Sequence, residues 1–299
     1  MSVRRALLIT NPASRRGARE LGRAMAAFAG RGVQVDTVLT ERSGHAAMIA
    51  GELGAHYDAV FTLGGDGTAM EVLHVSALLE RPVGVLPGGT GNLLARALGT
   101  PLNTRRAVHA LLDGDERVID LGVLADGRTF SFAAGVGIDV TMLERASPRL
   151  KRRFGVLAYV AAGARAALSA PPFRLDATVD GQHHTFHATA ALVANFGTVL
   201  GGLLQLGPAI VPDDGMLDLC VFAPRTMADV VKLGWRMLRH DFREAPHMSF
   251  LRGRNIRLET TPVRMAQADG ELIGPTPLDC HVLPNAARLL APRVAARPA

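Results

Sequence analysis

AVFTLGGDGTAMEV at residues 59–72 and VGVLPGGTGNLLARA at residues 83–97 are the two stretches that decide the fold. In each, a short apolar run (residues 60–63 or 83–86) passes into a glycine-rich loop (residues 64–67 or 87–91), and a helix-like segment follows. This succession of strand, tight loop and helix is typical of a parallel sheet. Both loops are therefore expected at the carboxyl ends of parallel strands, where α/β sheets hold their ligands.

The same alternation extends over the first part of the chain. Apolar runs at residues 6–10, 33–39 and 59–63 alternate with amphipathic stretches at residues 18–29 and 45–53. After about residue 123 the pattern changes to short strands separated by Asp-Gly turns, which favour antiparallel pairing. The predicted fold class is α/β, with an N-terminal α/β domain that contains a parallel sheet (residues 1–122) and a C-terminal antiparallel β-sandwich domain (residues 123–284).

The charge of the chain favours anionic partners. Its 299 residues carry a formal net charge of +6. Lys151 and Lys232 are its only lysines, so nearly all of the positive charge comes from arginine, which binds phosphate bidentately. Aromatic residues make up only 5% and no nucleic-acid-binding motif is present, so we expect no nucleic-acid partner. The densest basic cluster lies in a predicted helical insert at residues 148–170 and indicates either docking on an anionic membrane or a solvated helix face. This cluster consists of Arg149, Lys151, Arg152 and Arg153.

Neither a secretory signal nor a membrane-spanning segment is predicted. The longest apolar run, at residues 155–164, is shorter than the ~18 residues that a spanning helix needs. Cys220 and Cys280 lie in strand-like segments and predict two buried, reduced thiols. We expect a cytoplasmic protein that associates peripherally with the inner face of the membrane. The sequence does not fix the oligomeric state and leaves a homodimer open.

The first glycine-rich loop has the composition of a phosphate-binding loop. Gly64, Gly65 and Gly67 allow backbone amides to approach an anion closely, and the helix that follows adds its positive N-terminal end. Asp66 would repel a bare phosphate, so it indicates a nucleotide bridged by a divalent cation. The alternative is a tight strand-to-helix turn in which Thr68 caps the helix.

The second loop repeats this design one strand later. Gly89 permits close backbone approach there, and Thr90 and Asn92 supply hydrogen-bond donors. The first strand also ends in a polar turn at residues 11–17, and the second ends at Thr40. Four strand ends are therefore predicted to line one crevice of nucleotide size.

Two familiar nucleotide-binding motifs are absent. A Walker P-loop requires Lys-Ser or Lys-Thr after its glycines, and neither Lys151 nor Lys232 follows a glycine-rich loop. A dinucleotide fingerprint requires a third small residue, which is missing after Gly89-x-Gly91 and after Gly135-x-Gly137. The sequence therefore predicts neither a P-loop NTPase nor a dinucleotide redox enzyme.

Four motifs together carry a family resemblance: NPASRRG at residues 11–17, GGDGTAMEV at 64–72, PGGTGNLLARALG at 87–99 and ADGELIGPTPLDCHVLP at 268–284. In this order they resemble the soluble diacylglycerol kinase and sphingosine kinase family of lipid kinases. The resemblance implies an α/β domain and a β-sandwich, with residues 285–299 returning to the first domain. It also implies that ATP and Mg²⁺ bind in the cleft between the domains while a lipid hydroxyl is phosphorylated at the membrane surface.

The resemblance also implies roles for individual residues. Glu271 matches the general base, which takes the proton from the lipid hydroxyl, and Asp66 would belong to the catalytic magnesium and water network. The alternative is that Glu271 is an exposed strand residue after a hairpin turn. The residues that would bind the nucleotide are Asn11, Thr40, Gly64, Gly65, Asp66, Gly67, Thr68, Glu71, Gly89, Thr90 and Asn92.

A second magnesium site is implied at the acidic loop of residues 212–216. Asp213, Asp214 and the backbone carbonyl of Met216 match the ligands of a structural Mg²⁺ in the family, and a plain acidic turn is the alternative. The chain departs from the family at Leu93, where many members have an aspartate. Asp120 and Asp139 are the nearest acids by motif position that could replace it, and simple packing of Leu93 is the alternative.

Two other functions remain open at this stage. A nicotinamide-dinucleotide kinase shares the GGDGT loop and a β-rich second domain, although the Asn11-Pro12 turn and the PGGTGN loop favour a lipid kinase. A catalytically silent nucleotide- or lipid-binding regulator could keep the same fold. Asp66 and Glu271 argue against such a regulator, because it would have no need of either carboxylate.

Overall fold

Two structural units can be separated in a computed structural model, which describes residues 3–14, 17–137, 171–199, 204–243 and 245–293. The first unit combines Met1–Ile119 with Asn285–Ala299, and the second is Asp120–Pro284. The predicted helical insert at residues 148–170, with its basic cluster, and Asp139 lie outside the described residues.

The first unit contains a parallel sheet covered by helices. Its strand order is β2-β1-β3-β4-β18, and the last pair joins Leu289 and Leu290 to Val83 and Gly84. The strands are β1 (Arg5–Thr10), β2 (Gln34–Leu39), β3 (Ala59–Gly64), β4 (Val83–Pro87) and the end of β18 (Leu278–Ala291). The helices are α1 (Gly17–Ala29), α2 (His45–Leu53), α3 (Asp66–Leu79), α4 (Leu93–Ala97) and α5 (Thr104–Leu112), and a short 3₁₀ turn follows α2 at Gly54–His56.

Burial on both faces explains why the central strands are continuously apolar. All six residues of β3 and all five of β4 are buried. Leu8 and Phe61 pack against α1 and α5, where Phe28 meets Phe61 with ring centroids 4.9 Å apart. Leu7, which points to the opposite face, is also fully buried, and α2 and α3 contact the sheet and each other.

The second unit is built from two antiparallel sheets. One has the order β14-β13-β10-β7-β16-β17, and the other joins the first half of β18 to β15, β8 and β9, with β5 and β6 forming a hairpin. The strands are β5 (Asp115–Leu124), β6 (Thr129–Phe130), β7 (Ala133–Val136), β8 (Phe173–Val179), β9 (Gln182–Ala188), β10 (Ala190–Ala194), β11 (Thr198–Val199), β12 (Leu204–Gln205), β13 (Leu217–Phe222), β14 (Met248–Gly253), β15 (Asn255–Thr261), β16 (Met265–Ala268) and β17 (Glu271–Pro275). β11 and β12 pair only with each other.

Alternating burial shows that these two sheets form a sandwich. Along β15 every second residue is buried, and the same alternation occurs along β8. Leu258 and Leu175 of one sheet share a core with Leu219 of the other. The predicted α/β fold class, with a C-terminal antiparallel β-sandwich, is confirmed.

The alternative in which Thr68 caps the helix after the first glycine-rich loop is wrong, because helix α3 begins at Asp66, inside this loop, and its N-cap is Gly65. The second unit also contains a helix, α6 (Met227–Leu238), that was not predicted. Its N-terminal signal is a capping box in which Thr226 and Asp229 bond to each other's backbone N–H groups.

No helix among the described residues is long and apolar enough to cross a membrane.

Candidate active site

An open cavity of about 280 Å³ lies at the carboxyl ends of β1, β3 and β4 in the first unit. It is formed by three loops that follow neighbouring parallel strands, as the chain topology requires. Eight residues line it: Asn11, Ala13, Ser14, Gly65, Gly67, Thr68, Gly89 and Thr90. Six of the eight are residues that were predicted to bind the nucleotide.

The two glycine-rich loops lie backbone against backbone. The Gly88 N–H donates to the Gly64 carbonyl over 3.0 Å. A Cβ atom on Gly89 would lie 2.5 Å from the Gly65 Cα, and one on Gly88 would lie 2.8 Å from the Gly64 nitrogen. These glycines are therefore required by the close approach of the loops, because a side chain at either position would force the loops apart.

The N-terminus of α3 opens beside this cavity. Its N-cap, Gly65, has no side chain to satisfy the first N–H groups of the helix. Thr68, in the first turn, accepts a hydrogen bond from Asn11 Nδ2 over 3.4 Å, and Asn11 Oδ1 accepts one from the Ala13 N–H over 2.9 Å. The first N–H groups of a helix have no acceptor within the helix, and together with the positive end of the helix dipole they favour an anionic ligand at this position.

Asp66 contacts the second loop instead of lining the cavity. Its Oδ1 accepts hydrogen bonds from the N–H groups of Leu93, over 2.5 Å, and Leu94, over 3.4 Å, which are the first two residues of α4. Burial raises the pKa of the Asp66 carboxyl, and backbone N–H donors, that of Leu93 first among them, oppose this rise. Asp66 therefore fixes the second loop relative to the first through the N-terminus of α4.

The remaining nucleotide-binding candidates of the first unit have structural partners. Asn92, in the left-handed conformation with φ 49°, bonds back to Gly89 through both its amide oxygen and its amide nitrogen. Glu71 accepts from the Ala46 N–H over 3.0 Å and so caps α2. Thr40 is buried and its N–H donates to the Thr10 carbonyl. Their side chains shape the loops around the cavity and are not among those that line it.

Glu271 is the first residue of β17 in the second unit, and it is exposed. It follows a tight turn in which Asp269 (φ 47°) and Gly270 (φ 90°) are both left-handed. The Asp269 carboxylate accepts three backbone N–H bonds, from Ser131, Phe132 and Ala133, over 2.6 to 3.1 Å. This network anchors the turn, and with it the backbone that carries Glu271.

A basic residue that sequence reasoning missed lies near Glu271. The pKa of Arg128 is raised, chiefly by its hydrogen bond to Asp126 and to a lesser degree by the charge of Glu271. The Arg128 guanidinium also donates to the Ile273 carbonyl over 3.3 Å. Because Ile273 lies 145 residues from Arg128 in the sequence, no local pattern could have placed Arg128 beside this strand.

The acidic loop of residues 212–216 is also held by contacts that the sequence does not reveal. Asp214 forms a salt bridge with Arg252 and accepts the Met216 N–H over 3.1 Å. The buried Asp120 accepts the Gly215 N–H over 2.6 Å, and its own N–H donates to the Pro212 carbonyl. Asp120 therefore supports the acidic loop of the second unit.

The oxygen donors at both predicted magnesium positions have the right chemistry for this ion. Mg²⁺ binds carboxylate and carbonyl oxygens, and in kinases it uses one or two carboxylates together with substrate phosphates rather than a cage made only of protein. No three histidine, cysteine, aspartate or glutamate side chains converge as metal ligands in the described parts of the chain. Asp66 offers a carboxylate for such a shared ion, but its Oδ1 is engaged by the N–H groups of Leu93 and Leu94, and at Asp214 the ion would have to compete with Arg252.

Two family models together match nearly all of the chain. Residues 5–124 match the diacylglycerol kinase catalytic domain, and residues 133–291 match the YegS C-terminal NAD kinase beta sandwich-like domain. The chain belongs to the diacylglycerol kinase family. Within this family the first match contains the loops of the cavity, and the second contains Glu271 and the acidic loop.

Several known proteins are similar to this diacylglycerol kinase family member. An uncharacterized protein of Synechocystis sp. is 29% identical over 78% of this chain, and the match spans 54% of that relative's length. A Staphylococcus aureus (strain JH9) protein named "Putative lipid kinase" is 28% identical over 78% of this chain and 77% of its own. A crystal structure titled as a putative diacylglycerol kinase from Bacillus anthracis str. Sterne shares the fold, with a TM-score of 0.81, 23% identity and coverage of 97% of this chain and 98% of that one.

A buried carboxylate beside the acidic loop gives this family member a testable pH dependence. Burial raises the pKa of Asp218 to about 6, and no hydrogen-bond partner for its Oδ2 occurs among the described residues. The folded state thus disfavours the charged form, so stability should fall as the pH rises from about 4 through about 6. We expect Asp218→Asn to raise the free energy of unfolding by about 1–2 kcal/mol at pH 7.5.

Denaturant unfolding of both proteins at pH 7.5 and pH 4 measures this difference, which should nearly vanish at pH 4. Asp176→Asn is the control, because Arg174 and Thr185 lower the pKa of that exposed carboxyl and the variant should gain nothing at neutral pH. An Asp218→Asn gain of equal size at both pH values would show that ionisation of Asp218 is not its cause.

Proposed function

We propose that this protein is an ATP-dependent lipid kinase that acts at the membrane surface as a peripheral, cytoplasmic enzyme. Glu271 takes the proton from a lipid hydroxyl, and the resulting oxygen attacks the γ-phosphorus. The bond from that phosphorus to the bridging oxygen breaks, and ADP leaves with the electron pair. The acceptor is a diacylglycerol-like or sphingoid-like alcohol.

One observation supports the nucleotide part of this proposal above the others. The cavity at the α3 N-terminus is lined by backbone of Gly65, Gly67 and Gly89, so N–H groups rather than side chains are available to an entering phosphate chain. Asn11 and Thr68 add polar side-chain atoms at its edge. Because none of the described residues that line the cavity is basic, a triphosphate bound there needs another source of positive charge. Mg²⁺ shared by Asp66 and the phosphates would supply it by neutralising charge on the transferred group.

Direct transfer of label tests the proposal. Purified protein is incubated with γ-labelled ATP and Mg²⁺, and the acceptors are diacylglycerol, a sphingoid base, other lipid alcohols and NAD. Label in a lipid product is the expected result. Label in NAD alone would replace the proposal with a nicotinamide-dinucleotide kinase, whose sandwich domain the second match resembles. Nucleotide binding without transfer to any acceptor would instead indicate a catalytically silent regulator.

Gly67→Ala should separate nucleotide binding from stability. A Cβ atom at Gly67 meets no protein atom within 4 Å, and Gly67 lies in α3, where alanine is the better helix former by ~1 kcal/mol. Because the same methyl group would enter the cavity, we expect KM for ATP to rise by ~10-fold or more while the protein becomes no less stable. Steady-state kinetics and thermal unfolding measure the two effects.

Gly51→Ala provides the control, because that position in α2 is equally open but does not line the cavity. It should leave KM for ATP unchanged. If Gly67→Ala also keeps the KM for ATP of the unaltered protein, the phosphates of ATP do not bind in this cavity.

A further inference from the structure

Helix α6 buries only one side against the second unit. Val230 is buried, and Leu233 and Met237 pack on a cluster that includes Cys220 and Phe222. These positions are spaced by three and four residues and therefore share one helix face. This face explains why the helix stays attached to the sandwich, and it leaves the opposite face without a role in the fold.

The opposite face of α6 carries an exposed apolar stripe. Met227, Val231, Trp235 and Leu238 follow one another at helical spacing, and they are 54%, 60%, 59% and 42% exposed. Large apolar side chains that are aligned and solvent-exposed over three turns indicate an interaction surface, because isolated exposed residues would not align in this way. Trp235 is also the only tryptophan of the chain.

Positive charges border this stripe. Lys232 lies on α6, Arg239 directly follows the helix, and Arg225 lies just before it. All three are exposed. The Arg239 guanidinium stands 5.4 Å from the centre of the Trp235 ring, and no salt bridge of Arg225, Lys232 or Arg239 occurs within the described residues. The acid of the helix, Asp229, is engaged by the backbone N–H groups of Arg225 and Thr226 and by His247.

We propose that the outer face of α6 docks on an anionic lipid bilayer. An apolar stripe with a tryptophan, bordered by cations, matches the polarity of the interface, where acyl chains adjoin negatively charged headgroups. A second copy of the chain fits less well, because a two-fold contact through this face would bring the basic borders of both copies together. The proposal rests on the proposed function, since it names the surface by which a lipid kinase reaches its acceptor.

Trp235 reports on this docking without any substitution. The full-length protein is mixed with vesicles of phosphatidylcholine alone or with 30 mol% phosphatidylserine added. With the anionic vesicles only, we expect a blue shift of the tryptophan emission and quenching of this emission by lipids brominated on the acyl chain. High salt should reverse both changes. Sedimentation with the vesicles, without either fluorescence change, would overturn the proposal, because the protein would then bind through another surface.

Val231→Asp should reduce the vesicle partition coefficient by about tenfold, since it replaces an aliphatic side chain that would enter the bilayer with a charged one. It leaves Trp235 in place as the reporter and lies outside the cavity and the Glu271 turn. The matched control is Leu78→Asp, at an even more exposed apolar residue (84%) on α3 of the other unit. Equal losses in both variants would show a general effect of surface apolarity and would also overturn the proposal.

Activity separates a failure of this inference from a failure of the proposed function. Val231→Asp should keep the turnover of the unaltered enzyme on a short-chain acceptor dissolved in buffer, and should lose about tenfold on the acceptor embedded in anionic vesicles. Absence of transfer by the unaltered enzyme on both acceptors would refute the kinase proposal, and the fluorescence result would still decide the docking surface. A different result would identify a second copy of the chain as the partner of α6. In that case the unaltered protein would self-associate, Val231→Asp would abolish the association, and vesicles would not change the tryptophan emission.

Discussion

Glu271→Gln is expected to lower kcat by ~10²–10⁴-fold and to leave nucleotide binding intact. Glutamine keeps the size and hydrogen-bonding capacity of the side chain but cannot accept the proton of the lipid hydroxyl. Because Glu271 is exposed at the start of β17 and is not part of a core, the substitution should not disturb folding. Initial rates with saturating ATP and acceptor measure the loss, and a nucleotide titration measures binding.

Glu259→Gln is the matched control for this experiment. Glu259 is also an exposed strand glutamate of the second unit, paired with Arg257 on β15, and its replacement should not change kcat. If Glu271→Gln transferred phosphate at nearly the unaltered rate, Glu271 would be only a surface residue after a hairpin turn and another group would have to act as the base.

Asp66→Asn should lower kcat by ~10²-fold, the second largest effect that we expect. The amide retains an oxygen for the Leu93 N–H but lacks the charge that would hold a cation with the phosphates. The loss of stability should stay near ~1 kcal/mol, because one acceptor remains and only its charge is removed. Magnesium titrations of activity and denaturant unfolding measure both quantities.

The control for Asp66 is a helix cap without proposed chemistry. Asn103 accepts the Arg106 N–H at the start of α5, so Asn103→Ala should cost a similar ~1 kcal/mol of stability and no activity. Unchanged turnover in Asp66→Asn, together with a loss of stability, would reduce Asp66 to a cap of α4.

Local patterns were enough to predict many of the helices, strands and turns. Helix α2 covers residues 45–53, as its amphipathic pattern predicts, and both Asp180-Gly181 and Asp269-Gly270 form left-handed turns. Such patterns succeed because a glycine after an apolar strand, or an aspartate before a glycine, restricts the backbone within a few residues. Helix α6 was missed because its apolar residues are divided over two faces, which hides the usual spacing.

The direction of side chains could not be predicted in the same way. Asp66 was assigned to the phosphate loop by its position, but its carboxylate accepts N–H groups 27 and 28 residues further along the chain. Leu94 and Leu98 are buried, whereas Leu93 is only half-buried and contributes its backbone N–H to Asp66. The salt bridge between Asp214 and Arg252 joins residues 38 positions apart. Contacts of this range depend on the tertiary fold and leave no trace in local sequence.

The path of β18 has a consequence for biosynthesis. Leu289 and Leu290 pair with β4 in the parallel sheet of the first unit, so this unit includes residues that are translated after all of residues 120–284. Until then the β4 strand, apolar throughout, is an open edge on the ribosome-bound chain, and such edges invite pairing with other chains. The parallel sheet of the first unit is therefore completed only after residues 120–284 have been synthesised.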